Sequence, residues 1–591
     1  MTNSPHARLR PLALGAVTID GGLWADRRRL NRERLIPGGA RRLEEAGNLP
    51  NLRRAAGLEA GGFIGMRFSD SDVYKWLEAI GWEGSATGDE AIGVIEAAQR
   101  EDGYLNSHYQ VDPPGEPWSN IAWNHELYCA GHLIEAALAH ARVRGDERLL
   151  RVARRFADEL VRRFGGPGSD VTPGHPEVEL ALVALFRHTG ERSYLSLAQA
   201  FVDRRGRGTL QPARLGSSYF QDRVPVREQD EVEGHAVRAL YLNAGVTDLY
   251  LETGEAALLD AMQRQWRDMA GRKAYVTGGV GAHYLDEAFG DGYELPPDRC
   301  YGETCAAIAS ILWNWRMLLV TGESRFADLL ERTLYNGFLA GLALDGSGYS
   351  YVNPLQVREG HLDAVEEGAE RRPWYACACC PPNVMRLLAS LDRYVATTDA
   401  DGLQIHQYLD ATLPGVRMRT RYPWDGVVEL EVTEPGARAL ALRVPPWGQA
   451  RLDGEPVAPG YARLERDWRA GDRVTLALDM TPRLVFPHPR IDAVRGCAAI
   501  ERGPLVHAVE GAVDDARIDP QGELRAVERP DLLGGVVTVA AAGARVHPPD
   551  PEWPYGSFEP DTRPEPLEAI PYAWWGNRGE PGMRVWIPTT P

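Results

Sequence analysis

The sequence predicts a multidomain protein in which an α-helical region is followed by an all-β region. Apolar residues recur at helical spacing from about Leu30 to Thr397, and after about Asp399 they alternate in short runs between turn residues. The chain has 591 residues, which is too long for one ordinary core. Such a length corresponds to about three or four domains, or fewer if one is a large toroid.

One repeated dipeptide marks the turns of the helical region. A glycine followed by an acidic residue ends one apolar-periodic segment and opens the next at Gly145-Asp146, Gly190-Glu191, Gly254-Glu255 and Gly322-Glu323. Glycine past a helix end supplies the left-handed conformation, and an acid suits the positive end of the next helix. Intervals of about 45 to 70 residues favour helix pairs in a closed ring or a long superhelix. An α/α toroid is the preferred interpretation.

The remaining segments complete the predicted domain division. Alternating runs such as GVVELEVTE and DRVTLALDM predict a β-sandwich region over residues 399–591, as one or two sandwiches. Residues 26–398 form the predicted helical domain. Residues 1–25 also contain an alternating run, LGAVTIDGGLW, which is a candidate to add a strand to the C-terminal sheets.

Composition narrows the class of partner. The 83 Asp plus Glu against 65 Lys plus Arg leave a net charge of −18, so neither nucleic acid nor an anionic membrane is expected to bind. We expect no signal peptide and no membrane span, and therefore a cytoplasmic, reducing location in which cysteines serve as ligands or nucleophiles. Lysine occurs only as Lys75 and Lys273, a bias that we attribute to the base composition of the genome. The oligomeric state is open, and a homodimer is compatible with the sequence.

Three of the seven cysteines stand close together, as Cys377, Cys379 and Cys380, and two prolines follow them. Adjacent cysteines rarely bridge each other, because the intervening peptide opposes disulfide geometry. The run is either a set of small buried side chains or part of a soft-metal site, for which zinc needs four ligands. The segment YGETCAAIAS offers Glu303 and Cys305, which can converge only from a loop or from the first turn of a helix.

Histidines mark three further stretches. His125, Cys129 and His132 recur at i, i+4 and i+7 on one helical face, where they either bind a metal or line a helical ring. The second is preferred, because no carboxylate completes a ligand set on that face. His175 and His235 each stand at the start of an apolar helix, as a solvent-exposed cap or as part of a polar pocket.

Glu287 lies in the loop-like stretch YLDEAFGDGYELP. A carboxyl there is either an ordinary loop carboxylate or an active-site acid, and the local pattern by itself favours the first.

Four motifs in a fixed order carry a family resemblance. DEAF, DRCYGETCA, YVNPL and PWYACACCPPN resemble the glycoside hydrolase family 127 β-L-arabinofuranosidases. The resemblance covers essentially the whole chain, from GGLW near the start to MRVWI near the end. It implies an (α/α)6 barrel followed by β-sandwich domains.

Matched position by position, the motifs imply a zinc-dependent site. Cys379 would be the nucleophile and Glu287 the general acid/base. The implied zinc ligands are Glu303, Cys305, Cys379 and Cys380. The implied sugar contacts are His125, His175, His235, Glu331 in LLERTLYN and Tyr351 in YSYVNPL. Two thiols depart from the family pattern: Cys377 is an alternative zinc ligand or an oxidation liability, and Cys300 stands beside the E-T-C motif.

The implied activity is retaining hydrolysis of β-L-arabinofuranosides at their non-reducing ends, through a thioglycosyl enzyme, on a small oligosaccharide or glycoside substrate. Two alternatives stay open: a family member acting on another furanoside or a branched acidic sugar, and a carbohydrate-binding protein with structural zinc. A hydrolase that uses metal-bound water is disfavoured, because four protein ligands leave no open position.

Overall fold

The computed structural model of this chain describes residues 4–210, 215–359, 371–547, 553, 555–557 and 561–590. Helices prevail as far as Ala389 and strands prevail from Ala396 onward, so the predicted change from helices to sheets is confirmed. The α-helices are α1 (Gly22–Leu30), α2 (Ile36–Glu45), α3 (Asn48–Ala55), α4 (Asp70–Trp82), α5 (Asp89–Ala98), α6 (Ser107–Val111), α7 (Glu126–Arg144), α8 (Arg148–Phe164), α9 (Val178–Thr189), α10 (Arg192–Arg204), α11 (Ala236–Thr253), α12 (Ala256–Asp268), α13 (Thr304–Thr321), α14 (Ser324–Arg332) and α15 (Cys380–Ala389).

The glycine-acid dipeptides are helix hairpins, as predicted. Gly145, Gly190, Gly254 and Gly322 end α7, α9, α11 and α13 with φ values of 66°, 76°, 69° and 69°. Only glycine adopts this left-handed conformation without strain, which explains the repeat. The helix after each turn packs against the helix before it.

Six helices contact one another in a ring among the described residues, in the order α4, α7, α9, α11, α13 and α15, with α15 returning to α4. The ring helices are buried over most of their length. The hairpin partners α8, α10, α12 and α14 are amphipathic and turn most of their charged residues to the outer surface, with Glu159, Asp268 and Glu331 as buried exceptions. Side chains at the ends of the ring helices can therefore meet at a common axis.

One ring helix resembles a membrane span in composition. α13 is long and apolar enough to cross a membrane, but 83% of the helix is buried inside the fold. The expectation that no segment approaches such a span is corrected to this extent. A helix surrounded by other helices is apolar on all sides, because each neighbour covers part of it.

The strands are β1 (Arg10–Pro11), β2 (Thr18–Ile19), β3 (Gln356–Val357), β4 (Ala396–Thr398), β5 (Gly402–Ile405), β6 (Ala411–Leu413), β7 (Val416–Thr420), β8 (Val427–Val432), β9 (Gly436–Val444), β10 (Ala450–Leu452), β11 (Glu455–Val457), β12 (Gly460–Trp468), β13 (Arg473–Leu478), β14 (Arg483–Val485), β15 (Cys497–Arg502), β16 (Leu505–Glu510), β17 (Ala516–Ile518), β18 (Leu524–Arg529), β19 (Val536–Ala541), β20 (Gly543–His547), β21 (Asp561–Pro564), β22 (Leu567–Pro571), β23 (Met583–Arg584) and β24 (Ile587–Pro588).

These strands form several sheets, with orders β1-β4-β5-β9-β12, β11-β10-β13-β8-β7-β6-β2, β14-β15-β16-β22-β19-β18 and β17-β20-β21. Among the strands that the structure describes, β5 and β9 pair in parallel and the other strand pairs are antiparallel, and one isolated parallel bridge joins Ile518 to Thr589. Alternate residues of β7 and β8 are buried, as the period of two in their sequences requires. The N-terminal strands β1 and β2 pair with β4 and β6, which joins the start of the chain to the sheets.

Candidate active site

One pocket collects residues from the beginnings of the ring helices. His125 precedes α7, His235 precedes α11, Glu303 precedes α13 and Cys379 precedes α15. These helices start at the same end of the ring, so their first residues line one cavity of about 280 Å³. Helix N-termini carry unpaired N–H groups and a partial positive charge, which favour carboxylates and thiolates at these positions. A larger cleft of about 1170 Å³ is lined by Arg27, Arg34 and Trp424 among others, and its described lining residues include neither a histidine nor a cysteine.

Glu303, Cys305, Cys379 and Cys380 form a compact group at this pocket. Their ligand atoms all lie within 4.8 Å of one another, an arrangement that could hold a metal ion. The Sγ atoms of Cys379 and Cys380 lie 3.3 Å and 3.5 Å from Glu303 Oε1, and Cys305 Sγ lies 3.4 Å from Cys380 Sγ. The separation between the two sulfur atoms is far longer than a disulfide bond, and the three cysteines are free thiols.

The four acidic side chains of this group lie close together and shift one another's pKa values. Burial, followed by the charge of Glu287, raises the pKa of Glu303 to about 7. Burial would also raise the pKa of Cys305, but hydrogen bonds from the other two thiols lower it to about 7. Contact with Cys305 raises the pKa of Cys379, and burial raises that of Cys380. One thiol can thus ionise at the expense of the others, and a dication among them is the charge that would let all four ionise together.

Glu287 faces the pocket from the loop after α12. Its carboxylate accepts a hydrogen bond from the Tyr351 hydroxyl (2.8 Å), and its Oε2 lies 2.9 Å from His235 Nε2. Burial would raise the pKa of Glu287, but these two partners lower it to about 2. The backbone of Glu287 has a φ of 54°, an unfavourable conformation for a residue with a side chain. The carboxylate is therefore held in one place at a cost in backbone strain.

The histidines at the pocket are uncharged and oriented by backbone groups. His235 Nδ1 accepts from the N–H of Val237 (3.2 Å), so its Nε2 carries the proton that faces Glu287. His125 Nδ1 contacts Trp123 O at 2.5 Å and His175 Nδ1 contacts Pro176 O at 2.8 Å. Only a protonated Nδ1 can bond to a carbonyl, so Nε2 of both rings is an acceptor.

Burial accounts for the neutral state of these rings. It lowers the pKa of His125 to about 3, and it lowers the pKa values of His175 and His235 below the ordinary range. The rings of His125 and His175 lie 5.4 Å apart, and those of His175 and His235 lie 5.8 Å apart. A row of neutral imidazoles is suited to bonding hydroxyl groups.

Glu331 is the one proposed sugar contact that the structure places elsewhere. Its side chain is buried between the helices and β9, where it pairs with Arg443 and accepts from the Tyr422 hydroxyl (2.7 Å). Its other oxygen lies 3.4 Å from Trp447 Nε1. The expectation that Glu331 contacts the sugar is therefore corrected: both oxygens are committed to residues of the β region, outside the lining of the pocket.

The remaining thiols and His132 lie outside the compact group of four. Cys129 is fully buried, with its thiol directed at Phe68 O, and His132 lies 3.3 Å from Glu177 in the interior. Cys300 is also buried, which raises the pKa of its thiol. Cys377 lines the pocket and contacts Cys379, and this contact raises its pKa. Of the three residues at i, i+4 and i+7, Cys129 and His132 therefore lie in the interior of the ring and His125 lies at the pocket.

Sequence reasoning missed several pocket residues. Phe68, Trp123 and Tyr219 line it, and Arg238 lies 5.4 Å and 5.1 Å from the ring centres of Trp123 and Tyr219. Aromatic residues are too frequent in cores to be selected from sequence. Arg238 could have been found, because it lies one turn after His235 on α11 and so faces the same end of the ring.

Comparison with known proteins identifies related chains. Residues 16–393 match the model of the β-L-arabinofuranosidase GH127 catalytic domain, residues 402–480 match the GH127 middle domain, and residues 482–588 match the glycoside hydrolase family 127 C-terminal domain. The chain is 36% identical to a non-reducing end β-L-arabinofuranosidase from Bifidobacterium longum subsp. longum, over 90% of this chain and 91% of the relative.

Two solved structures of GH127 enzymes are similar to this chain over nearly its whole length. A crystal structure of a GH127 β-L-arabinofuranosidase from Geobacillus stearothermophilus T6 superposes with a TM-score of 0.91 at 37% identity, covering 97% of this chain and all of the other. A second GH127 β-arabinofuranosidase also has a TM-score of 0.91, at 32% identity, covering 99% of this chain and 98% of the other.

Proposed function

Because this chain belongs to glycoside hydrolase family 127 and is a glycoside hydrolase, we propose that it releases L-arabinofuranose from the non-reducing ends of β-L-arabinofuranosides, with retention of configuration. The observation that carries the proposal is the group of Glu303, Cys305, Cys379 and Cys380 in a pocket that also holds Glu287. The pocket's volume of about 280 Å³ lies at the small end of ligand sites, as a single sugar ring requires.

The donor set suits zinc. Ligand atoms about 2.0–2.3 Å from a tetrahedral zinc ion lie about 3.5–3.8 Å from one another. The separations from Cys379 Sγ to Glu303 Oε1 and Cys380 Sγ are 3.3 Å and 3.7 Å. Zn²⁺ held by these four residues would keep the ligand thiols deprotonated and so would supply the nucleophile as a thiolate.

In the first half of the reaction, Cys379 Sγ forms a bond to the anomeric carbon while the bond from that carbon to the leaving oxygen breaks. The leaving oxygen takes a proton from Glu287, and the product is a thioglycosyl enzyme. In the second half, Glu287 removes a proton from water, whose oxygen bonds to the anomeric carbon. The carbon–sulfur bond breaks and its electron pair returns to Cys379. Two inversions give net retention.

Glu287 must change its protonation state between these steps. With a pKa of about 2 in the free protein it is a carboxylate, the form that a general base needs. The hydrogen bonds from His235 and Tyr351 cause this low pKa. We propose that a bound sugar diverts these donors to its own hydroxyl groups, which raises the pKa of Glu287 and allows it to carry the proton for the leaving oxygen.

His125 and His175 would bind the sugar from the other side of the pocket. Each presents Nε2 as an acceptor, so each can receive a hydrogen bond from a sugar hydroxyl. His235 and Tyr351 would act as donors. A monosaccharide ring, with hydroxyls that both donate and accept, matches this combination.

Trapping is the direct test. A slowly hydrolysed activated β-L-arabinofuranoside should leave one pentosyl group on Cys379, identified by peptide mass spectrometry. Rates of hydrolysis on a panel of aryl furanosides test which sugar is preferred. Measurement of bound metal tests the proposed zinc site. An adduct on Glu303 or another carboxylate, with Cys379 unmodified, would refute the nucleophile. Preference for a different furanoside or an acidic sugar would refute the substrate.

The architecture belongs to the same proposal. The ring of six helices supports closure as an (α/α)6 barrel over residues 26–398, and the sheets after it support β-sandwich domains over residues 399–591. Residues 1–25 would then act as a strap, because β1 and β2 pair with strands of those sheets.

A further inference from the structure

Both lysines of this chain are buried, although its other cationic side chains are arginines. Among 65 Lys plus Arg residues only Lys75 and Lys273 are lysine, and their side chains are 0% and 4% exposed. A buried ammonium ion needs close partners, and its compact charge is not interchangeable with the broad guanidinium of arginine. Each lysine is therefore expected to have a local purpose, in place of the compositional bias that the sequence suggested.

Lys273 has a structural purpose. Its Nζ lies 3.1 Å from Asp268 Oδ2 and 3.2 Å from Glu231 Oε2, and it donates to Val232 O (2.7 Å). None of these residues lines the pocket. The partners satisfy the ammonium completely, so Lys273 fixes the end of α12 to the segment before α11.

Lys75 lies beside the candidate nucleophile. It is on α4, which packs against both α7 and α15. Its Nζ lies 3.1 Å from Asp72 Oδ1, 3.4 Å from the carbonyl oxygen of Cys379, and 5.5 Å from the ring centre of Tyr128. Cys379 and Tyr128 both line the pocket.

Charges of opposite sign meet in this region. Three thiolates and one carboxylate around a dication would leave two negative charges. Lys75 Nζ bonds to the backbone of one of these four residues, Cys379, and to the carboxylate of Asp72. The ammonium therefore lies next to the residue that supplies the attacking sulfur.

We propose that Lys75 is a positioning residue for the second half of the reaction: it holds the Cys379 peptide at the start of α15 and keeps a positive charge beside the departing sulfur. This inference rests on the proposed function. When water attacks the anomeric carbon, its proton passes to Glu287, the carbon–sulfur bond breaks, and the electron pair returns to Cys379 Sγ. Negative charge grows on the sulfur at that moment, and a fixed cation in a water-poor site stabilises it.

The variants would behave differently if Lys75 and Asp72 formed only a structural ion pair. If Lys75 only neutralises Asp72, then Lys75→Met and Asp72→Asn should damage the enzyme in the same way, because each breaks the same pair. If Lys75 assists departure of the sulfur, Asp72→Asn keeps the relevant charge and only Lys75→Met slows the second half-reaction. Lys273→Met is the matched control for the loss of a buried lysine elsewhere.

The experiment uses full-length enzyme and an activated aryl β-L-arabinofuranoside. Bound metal is measured by mass spectrometry, kcat and KM by initial rates, and covalent adduct by intact mass after acid quench. For Lys75→Met we expect kcat to fall about 10-fold or more, with KM falling in parallel, because the covalent enzyme accumulates. The pentosyl adduct on Cys379 should rise towards one per chain, while metal content matches wild type. Asp72→Asn and Lys273→Met should show no such accumulation.

The outcomes test the role of Lys75 separately from the proposed function. Unchanged KM and no extra adduct in Lys75→Met, with the wild-type adduct still on Cys379, would overturn the role of Lys75 alone. A wild-type adduct on any other residue would overturn the proposed function. Should Lys75→Met not fold or lose its metal, the Asp72→Asn/Lys75→Met double variant leaves no unpaired buried charge. Compared with Asp72→Asn, it must accumulate the adduct, or the inference fails.

Discussion

Replacement of Glu287 by glutamine is expected to separate substrates by their leaving groups. The amide is isosteric but can neither give nor take the catalytic proton. Proton transfer by a positioned side chain contributes about 10²- to 10⁴-fold, or roughly 2.7–5.4 kcal/mol of barrier. A glycoside with a poor leaving group needs this proton in the first step and should lose kcat/KM by that factor. An activated aryl glycoside leaves without help and should lose less than about 10-fold in kcat/KM.

The geometry around Glu287 defines the controls for this variant. His235 Nε2 and the Tyr351 hydroxyl lie 2.9 Å and 2.8 Å from its two oxygens, and an amide can accept from only one of these donors. Some loss of binding is therefore expected for every substrate and should appear in KM. Glu294→Gln is the matched control, because Glu294 forms a 2.9 Å pair with His283 in the same loop, outside the pocket lining. Initial rates on substrates of graded leaving-group pKa provide the assay, and equal losses for good and poor leaving groups would refute the acid role.

Three further predictions concern Cys377, the stability of the protein at low pH, and the contact between Glu331 and Arg443. Cys377→Ala should leave the bound metal at the wild-type stoichiometry, because the group of four excludes Cys377; loss of metal would make Cys377 a ligand. The pKa of Glu287 is lowered from 4.5 to about 2, so its contribution to stability is present above pH 4.5 and is lost as pH falls towards 2. Between these pH values, the free energy of unfolding should depend more steeply on pH for wild type than for Glu287→Gln. Identical slopes would contradict the lowered pKa of Glu287. Glu331→Gln should reduce the free energy of unfolding by roughly 3 kcal/mol, because it breaks the buried pair with Arg443, while KM stays constant. A raised KM at unchanged stability would instead indicate that Glu331 contacts the sugar.

Local features of the chain were predicted well because their causes are local. Glycine at the end of α7 adopts a left-handed conformation whatever surrounds it, so the hairpins follow from the dipeptides. The period of two in the strands likewise reflects which face of each strand is buried. Glu303 and Cys305 could be restricted to a helix start from their spacing, and they lie at the N-cap and first turn of α13.

Glu331 shows where motif matching reaches its limit. The motif LLERTLYN identifies the residue, but the direction of its side chain depends on Arg443, which lies 112 residues further along the chain. Lys75 shows the converse. The rarity of lysine is evident in the sequence, but no residue near Lys75 in the sequence relates it to Cys379, which is 304 residues away.

The sequence by itself determined the helical and β regions, the turns between helices, the family, and part of the set of residues that meet at the pocket. Tertiary structure decided which of them meet and in what state. Ring closure brings the starts of several helices to one point, where thiols separated by up to 75 residues come within van der Waals contact. Burial at that point then shifts their pKa values and keeps the histidines neutral, while packing of α4 against α15 places the Lys75 ammonium 3.4 Å from the carbonyl oxygen of Cys379. These effects depend on distance and on exclusion of water, which are properties of the packed ring and not of any single segment.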